Sequence, residues 1–266
     1  MPELPEVETI KRDLEKIVIG KKITEVCVHN PMVVREPSLS AFKKGLKGVT
    51  IRHVLRRAKI LIFELSNNKA LTVHLKMTGQ LVCPGKGKLS RVTFYLSNGK
   101  MLDFNDQRLF GELRLLDNWR DLKFIRELGP EPKDLSLKQF KEMLCRKKTK
   151  VKSLLMDQKF ISGIGNIYAA EILFRAKINP ERSVANLSEE EKYLLFKAIN
   201  DILNKAILLG GSSVDDYIRL SGKQGEYAKC HKVYGREGKP CLSCKASIKR
   251  ISQGGRGTFF CPKCQR

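Results

Sequence analysis

Four cysteines near the carboxyl end constrain the fold more than any other feature of this sequence. They form two pairs, Cys241-x-x-Cys244 and Cys261-x-x-Cys264, which are separated by 16 residues. Each pair can present two thiolates from one turn, and two such turns close a tetrahedral sulfur site for one Zn²⁺. A tail of roughly 30 residues cannot bury enough apolar surface to fold alone, so we expect the zinc to supply its folding free energy.

A four-sulfur site leaves no coordination position open, so we predict that the zinc is structural rather than catalytic. The loop between the two pairs is basic and includes Lys249, Arg250 and Arg256. A rigid basic hairpin suits insertion into a nucleic-acid groove. On these features alone, the chain could be a non-catalytic zinc-ribbon protein that binds DNA or RNA.

The charge of the whole chain also indicates a polyanionic partner. Its 266 residues include 51 Lys and Arg against 28 Asp and Glu, which gives a net charge of +23. No apolar run approaches the roughly 20 residues that span a bilayer, and the first residues lack a signal-peptide pattern. We expect a cytoplasmic monomer that binds no membrane. In that compartment its eight cysteines serve as metal ligands or free thiols.

Hydrophobic periodicity predicts an α+β chain. Apolar residues recur at helical spacing over residues 6–19, whereas residues 22–116 contain short alternating segments typical of a sandwich or open barrel. A Gly- and Pro-rich stretch follows residue 128, and the chain after it is helical in period, with a capping box at Ser188 and Glu191. We therefore predict three domains: 1–130 (strand-rich), 131–228 (helical) and 229–266 (zinc finger).

A series of short motifs then runs along the chain in a fixed order. They are MPELPEVE at 1–8, RRAK at 56–59, HLKMTG at 74–79, NDQRLFG at 105–111, ISGIGNIYAA at 161–170, VYGR at 233–236 and RGTFFC at 256–261. With the cysteine pairs, this order makes the whole chain resemble the formamidopyrimidine-DNA glycosylase family. The resemblance implies an N-terminal β-sandwich with an N-terminal helix, a helical domain with a helix-two-turns-helix element, and a zinc-ribbon β-hairpin.

The resemblance implies covalent catalysis at the amino terminus. The amine of Pro2, exposed once Met1 is removed, would attack C1′ of a damaged nucleotide, and an α-amine is partly unprotonated near neutral pH. Glu3 would protonate the sugar ring oxygen and shuttle protons. Lys59 and Arg256 would complete the catalytic set near the damaged base and its phosphates. Glu6 either orients Pro2 or only interacts with the helix dipole.

The implied partner is double-stranded DNA that contains an oxidised base or an abasic site. A base must leave the helix before C1′ can be attacked, and something must fill the hole. The resemblance assigns that filling to Met77, Arg108 and Phe110. It assigns DNA-backbone contacts to His74, Asn166 and Tyr234. Arg56 and Arg57 are left open between contact with DNA and simple solvation at a strand end.

The sequence departs from the family pattern at four positions. Ala58 and Lys76 stand where glycine is common, Leu109 replaces a basic residue, and Asp215 changes the charge of a predicted lid over residues 215–228. These departures leave the lesion preference more open than the reaction type. A sister class, resembling endonuclease VIII, favours oxidised pyrimidines. Leu4, with the three hole-filling residues, favours the formamidopyrimidine branch and hence oxidised purines.

Overall fold

A computed structural model describes residues 1–85, 90–145, 147–214 and 216–266. In chain order the helices are α1 (Leu4–Val18), α2 (Leu39–Leu46), α3 (Lys123–Arg126), α4 (Leu137–Leu144), α5 (Val151–Met156), α6 (Asn166–Arg175) and α7 (Glu189–Leu208). The strands are β1 (Ile23–Val28), β2 (Val34–Glu36), β3 (Ile51–Arg57), β4 (Ile60–Leu65), β5 (Ala70–His74), β6 (Gln80–Val82), β7 (Ser90–Leu96), β8 (Met101–Asn105), β9 (Glu112–Leu116), β10 (Lys249–Gln253) and β11 (Arg256–Phe260).

The chain forms two compact units. Unit 1 contains Met1–Arg126 and Ile207–Ala228, and unit 2 contains Glu127–Ala206 and Lys229–Arg266. Hydrophobic periodicity predicted residues 207–228 as part of the helical domain. Hydrophobic periodicity shows where helices lie, but it does not show which distant segment a loop packs against.

Unit 1 is a β-sandwich, as predicted. One sheet has the order β1-β7-β8-β6 and the other has the order β2-β9-β5-β4-β3. Alternating apolar residues from both sheets, such as Phe94 and Phe104 from one and Phe63 and Val73 from the other, join a single buried core. The predicted hairpin turn at 98–99 connects β7 to β8, and Gly99 adopts the positive φ of 76° that this turn requires.

Helix α1 closes one side of that core. It begins at Leu4, two residues earlier than expected, because Pro5 suits the first turn of a helix. Its residues Val7, Ile10 and Leu14 are at most 1% exposed. Each such burial stabilises the fold by about 1.5–3 kcal/mol. The early start places residues 2 and 3 directly before the first turn of a firmly packed helix.

Unit 2 contains α4–α6, α7 as far as Ala206, and the β10–β11 hairpin. The predicted capping box begins α7: Glu191 donates its N–H to Ser188 Oγ at 3.1 Å, and Ser188 donates its own to Glu191 Oε2 at 2.8 Å. The hairpin pairs Lys249 with Phe260 at one end and Gln253 with Arg256 at the other. In the described parts of both units, no helix is both long and apolar enough to cross a membrane.

Candidate active site

Glu6 organises the amino terminus. This carboxylate is 1% exposed. Its Oε2 accepts the N–H of Glu3 at 2.7 Å, and its Oε1 accepts the N–H of Ser212 at 2.8 Å. A Cβ at Gly211 would lie 2.9 Å from Oε1, so glycine is needed for this approach. Glu6 therefore fixes the backbone at residue 3, which is more than an interaction with the helix dipole. Pro2 and Glu3 are both buried.

The turn after β3 carries Lys59, which is 7% exposed. Arg56 donates from Nη1 to the carbonyl of Ala58 at 3.0 Å and from Nε to Glu8 Oε2 at 2.7 Å. Burial alone would raise the pKa of Glu8, but Arg56 and Arg12 lower it below its usual value. Arg56 therefore braces the turn against α1 and is not a solvated strand-end residue.

The next turn begins at His74. Lys76 donates its backbone N–H to His74 Nδ1 at 3.0 Å. Burial, with the charges of Lys76 and Lys59, lowers the pKa of His74 to about 3. The imidazole is therefore neutral at physiological pH. Since Nδ1 accepts a hydrogen bond, Nε2 carries the proton and remains a donor.

Three predicted hole-filling residues occupy exposed positions. Met77 is 42% exposed and Phe110 is 48% exposed, although both are large and apolar. The Arg108 guanidinium lies over the Phe110 ring at 4.6 Å from its centroid. Exposed apolar side chains beside a stacked guanidinium are well suited to enter a base stack.

Asp106 links the two turns that carry these residues, and sequence reasoning missed its role. It is 1% exposed. Its Oδ1 accepts the Thr78 hydroxyl and the Arg108 N–H, the latter at 3.2 Å, and its Oδ2 accepts the Gly111 N–H at 2.6 Å. A Cβ at Gly111 would lie 2.5 Å from the Phe104 ring, so this loop tolerates no side chain there. The available signal in the sequence was an acidic residue, Asp106, with a glycine, Gly111, at the end of the same loop.

Three of the four departures from the family pattern share one backbone property. Ala58, Lys76 and Leu109 have positive φ values of 51°, 51° and 58°. Each adjoins a predicted site residue. Glycine adopts this left-handed backbone most readily, and Ala58 and Lys76 adopt it at positions where the family commonly has glycine. Asp215, the fourth departure, lies outside the described residues.

In unit 2, a buried lysine that sequence reasoning missed connects helix α6 to the hairpin. Lys152, 1% exposed, donates to Asn166 Oδ1 and to Thr258 Oγ1, both at 2.6 Å. Asn166 Nδ2 donates to the Gly257 carbonyl at 3.1 Å. These bonds fix Asn166 at the start of α6 and position the strand that begins with the exposed Arg256.

Glu171 positions Tyr234. Its buried carboxylate accepts the backbone N–H groups of Lys232, Val233 and Tyr234 at 2.9–3.0 Å. Burial raises the pKa of Glu171 even though these amides favour its charged form. The Tyr234 ring packs edge-on against Phe259 of the hairpin, with the centroids 5.3 Å apart.

The four cysteines fit one zinc ion. Their Sγ atoms all lie within 4.8 Å of one another. The Cys244–Cys261 and Cys241–Cys264 sulfur pairs are 3.4 and 3.9 Å apart. Zn–S bonds of about 2.3 Å in a tetrahedron place sulfurs ~3.8 Å apart. The donor set and spacing therefore support the predicted structural zinc.

Three protein-family models match successive regions of this chain. The model of the formamidopyrimidine-DNA glycosylase N-terminal domain matches residues 1–113, the H2TH domain of the same enzyme matches 128–217, and the zinc finger found in FPG and IleRS matches 238–266. Formamidopyrimidine-DNA glycosylase of Pelotomaculum thermopropionicum is 46% identical over 100% of this chain and 99% of its own. That of Listeria innocua is 38% identical over 100% of both.

Solved structures agree with these matches. A Lactococcus lactis FPG mutant in complex with Fapy-dG-containing DNA aligns with a TM-score of 0.92 at 38% identity, over 100% of both chains. MutM (FPG) from Thermus thermophilus aligns with a TM-score of 0.90 at 38% identity, over 99% of this chain and 98% of that one. The matches cover both units and the cysteine hairpin, and this chain belongs to the formamidopyrimidine-DNA glycosylase family.

Proposed function

We propose that the protein is a DNA-repair glycosylase and abasic-site lyase that removes oxidised purines such as 8-oxoguanine and formamidopyrimidines. The observation that carries this proposal is the burial of Pro2 and Glu3 and the contact by which Glu6 holds the backbone of Glu3 directly before α1. A second contact, from the Ser212 N–H to Glu6 Oε1 at 2.8 Å, fixes the same carboxylate. Full-length membership in a family named for this activity supports the same conclusion.

Pro2, freed from Met1, is the proposed nucleophile. Its nitrogen lone pair forms a bond to C1′ while the C1′–base bond breaks, and the base leaves with the electron pair and takes up the proton that the Pro2 nitrogen then gives up. Glu3 protonates the ring oxygen as the C1′–O4′ bond opens, which leaves an iminium between Pro2 and the sugar. Glu6 supports this step by holding the residue that carries the acid.

The iminium acidifies the C2′ proton, so strand cleavage follows from the same intermediate. Loss of that proton expels the 3′ phosphate, and a second elimination expels the 5′ phosphate. Glu3 is the proposed proton shuttle, with Lys59 and Arg256 near the base and its phosphates. The expected product is a one-nucleotide gap with a phosphate on each side.

The proposed grip on DNA uses both units. Met77, Arg108 and Phe110 fill the space left by the extruded base, which offsets the few kcal/mol of lost stacking and pairing. Hydrogen bonds to the DNA backbone come from the neutral imidazole of His74 and from Asn166 and Tyr234. When bound, zinc supplies only the rigidity of the hairpin that carries Arg256.

Borohydride trapping tests the enzymatic proposal. Processed protein, incubated with an 8-oxoguanine duplex and borohydride, should yield a covalent adduct at Pro2, located by mass spectrometry. Glu3→Gln should abolish base release while the duplex is still bound. Absence of an adduct from protein proven to lack Met1 would exclude the mechanism, and unchanged excision by Glu3→Gln would exclude the role of Glu3.

We also propose that the protein acts as a monomer in the cytoplasm. Support comes from its predicted mode of action, in which one chain supplies the nucleophile, the hole-filling residues and the hairpin. Sedimentation velocity with and without damaged duplex checks this. A dimer in both conditions would contradict the monomer.

A further inference from the structure

Lys76 occupies the turn between His74 and Met77, at a position where the family commonly has glycine. It adopts a left-handed backbone with φ 51°, a conformation that is strained for a non-glycine residue. A residue that retains this strain usually makes contacts that offset it. The described structure shows two such contacts, one from the backbone and one from the side chain.

The backbone contact is the Lys76 N–H to His74 Nδ1 at 3.0 Å. The side-chain contact is the Lys76 ammonium to Glu112 Oε1 at 3.0 Å. Glu112 lies directly opposite His74 in the β5–β9 ladder. The turn therefore leaves β5 at His74. Lys76 then binds it to Glu112, the residue of the neighbouring strand β9 that pairs with His74.

Glu112 is itself held in place. Its Oε2 accepts from Arg114 Nη2 at 3.3 Å, and Arg114 Nη1 donates to Glu36 Oε1 at 2.7 Å. Burial would raise the pKa of Glu112, but Lys76 and Arg114 lower it, so the acceptor is charged near neutral pH. Lys76 is thus bound to an ordered carboxylate rather than to a mobile surface group.

We propose that Lys76 is a positioning residue, which anchors the 74–79 turn to Glu112 and so presents His74 Nε2–H and the Met77 side chain to damaged DNA. The proposal rests on the DNA-contacting roles assigned to His74 and Met77. Lys76 touches neither the substrate nor the reacting atoms in this role. It acts through the geometry of its two neighbours.

The competing role is a direct contact between the Lys76 ammonium and a DNA phosphate. The two roles predict opposite effects for Glu112→Gln. If Lys76 binds phosphate directly, removing the Glu112 charge frees the ammonium and reduces repulsion of DNA, so the affinity should rise. If Lys76 positions the turn through Glu112, the same change loosens the anchor and the affinity should fall.

The experiment measures the Kd of an abasic-analogue duplex and the single-turnover rate of base release for wild type, Lys76→Ala, Lys76→Arg, Glu112→Gln and the double variant Lys76→Ala/Glu112→Gln. A half-exposed ion pair accounts for a change of up to about fivefold. We expect each of Lys76→Ala and Glu112→Gln to weaken binding about three- to fivefold, the double variant to be no weaker, and Lys76→Arg to retain wild-type affinity. At saturating enzyme, the single-turnover rate of base release should equal that of the wild type.

The salt dependence separates the roles again. Loss of one phosphate contact reduces the slope of log K against log salt by about 1. An unchanged slope for Lys76→Ala supports positioning. A reduced slope, or tighter binding by Glu112→Gln, overturns it.

A second measurement needs no DNA. Long-range ¹H–¹⁵N spectra of the free protein should show His74 as a single tautomer protonated at Nε2, with Lys76→Ala shifting or broadening its signals. Unperturbed signals in that variant would overturn the anchor. Failure of the wild type to bind damaged duplex would instead refute the proposed function, so the two failures are distinguishable.

Discussion

The two turns of unit 1 and the hairpin of unit 2 present their predicted DNA-contacting residues by different physical means. In unit 1, the 74–79 and 105–111 turns are joined by one buried carboxylate, Asp106, and stand on a sandwich with a large apolar core. In unit 2, the β10–β11 hairpin depends on the four cysteine sulfurs that form the predicted zinc site. The buried Lys152 also holds the hairpin against α6 through Thr258. The first arrangement is part of a self-sufficient core, whereas the second requires an ion.

The largest effect should come from breaking the metal site. Cys244→Ala should release zinc and unfold the hairpin, because binding of structural zinc and folding of such segments share the same free energy. We expect DNA affinity to fall at least about tenfold, because losing one charge-assisted hydrogen bond to a phosphate costs about 1.5–3 kcal/mol. Hydrogen exchange should show lost protection at 249–260 and normal protection in β4 and β5. Cys145→Ala, at an exposed cysteine, is the control; a protected hairpin in Cys244→Ala would refute the dependence on metal.

The counterpart in unit 1 is Asp106→Ala. The change leaves three hydrogen-bond donors without their acceptor, so we expect unit 1 to lose about 3 kcal/mol of stability. Trp119, the single tryptophan, reports unfolding of this unit by fluorescence in urea. Asp106→Asn, which can still accept through one atom, should lose about half as much. Equal stability of all three proteins would show that the turns do not depend on this carboxylate.

Acid sharpens the comparison, because each unit contains one histidine with a lowered pKa. Burial lowers the pKa of His74 to about 3 and that of His231 to about 4. The unfolded state, with its pKa near 6.5, gains a proton that the folded state does not, so stability falls as pH falls from 6.5 towards these values. The slope per histidine is at most about 1.4 kcal/mol per pH unit, and less for the partly exposed His74.

Replacing either histidine by glutamine should flatten the acid dependence of its own unit alone. Trp119 fluorescence follows unit 1 in His74→Gln, and hydrogen exchange in α6 follows unit 2 in His231→Gln. Should His231→Gln alter the pH dependence of Trp119 unfolding, the units would not respond separately to acid.

The smallest effect concerns the left-handed turns of unit 1. Ala58→Gly should raise stability by roughly 0.5 kcal/mol, because relief of backbone strain exceeds the loss of one buried methyl group. Ala41→Gly, in the ordinary helix α2, should lower it by about 1 kcal/mol. Urea titration measures both. Two changes of the same sign would indicate that the positive φ at residue 58 carries little strain.

The sequence predicted what local patterns determine. The zinc cysteines, the sandwich, the first helix and the capping box of α7 all follow from spacing or periodicity within short segments. The contacts that sequence reasoning missed join distant residues: Thr78 to Asp106 across 28 positions, Lys152 to Thr258 across 106, and Glu6 to Ser212 across 206. A lysine or carboxylate destined for burial has no local signature, because its partner is fixed only by the folded chain. The lysine itself gives no sign of the left-handed backbone at residue 76, whereas the glycine that is common there in the family does.

The return of residues 207–228 to unit 1 has a consequence for how this protein can be divided. Ser212 completes the Glu6 contact, and Arg219 pairs with Asp13 of α1 at 2.8 Å. The coding region for unit 1 is therefore interrupted by that for residues 127–206. A fragment that ends at residue 126 would lack these two partners of its own first helix. Neither recombination at a single junction nor a single protease cut can separate unit 1 intact.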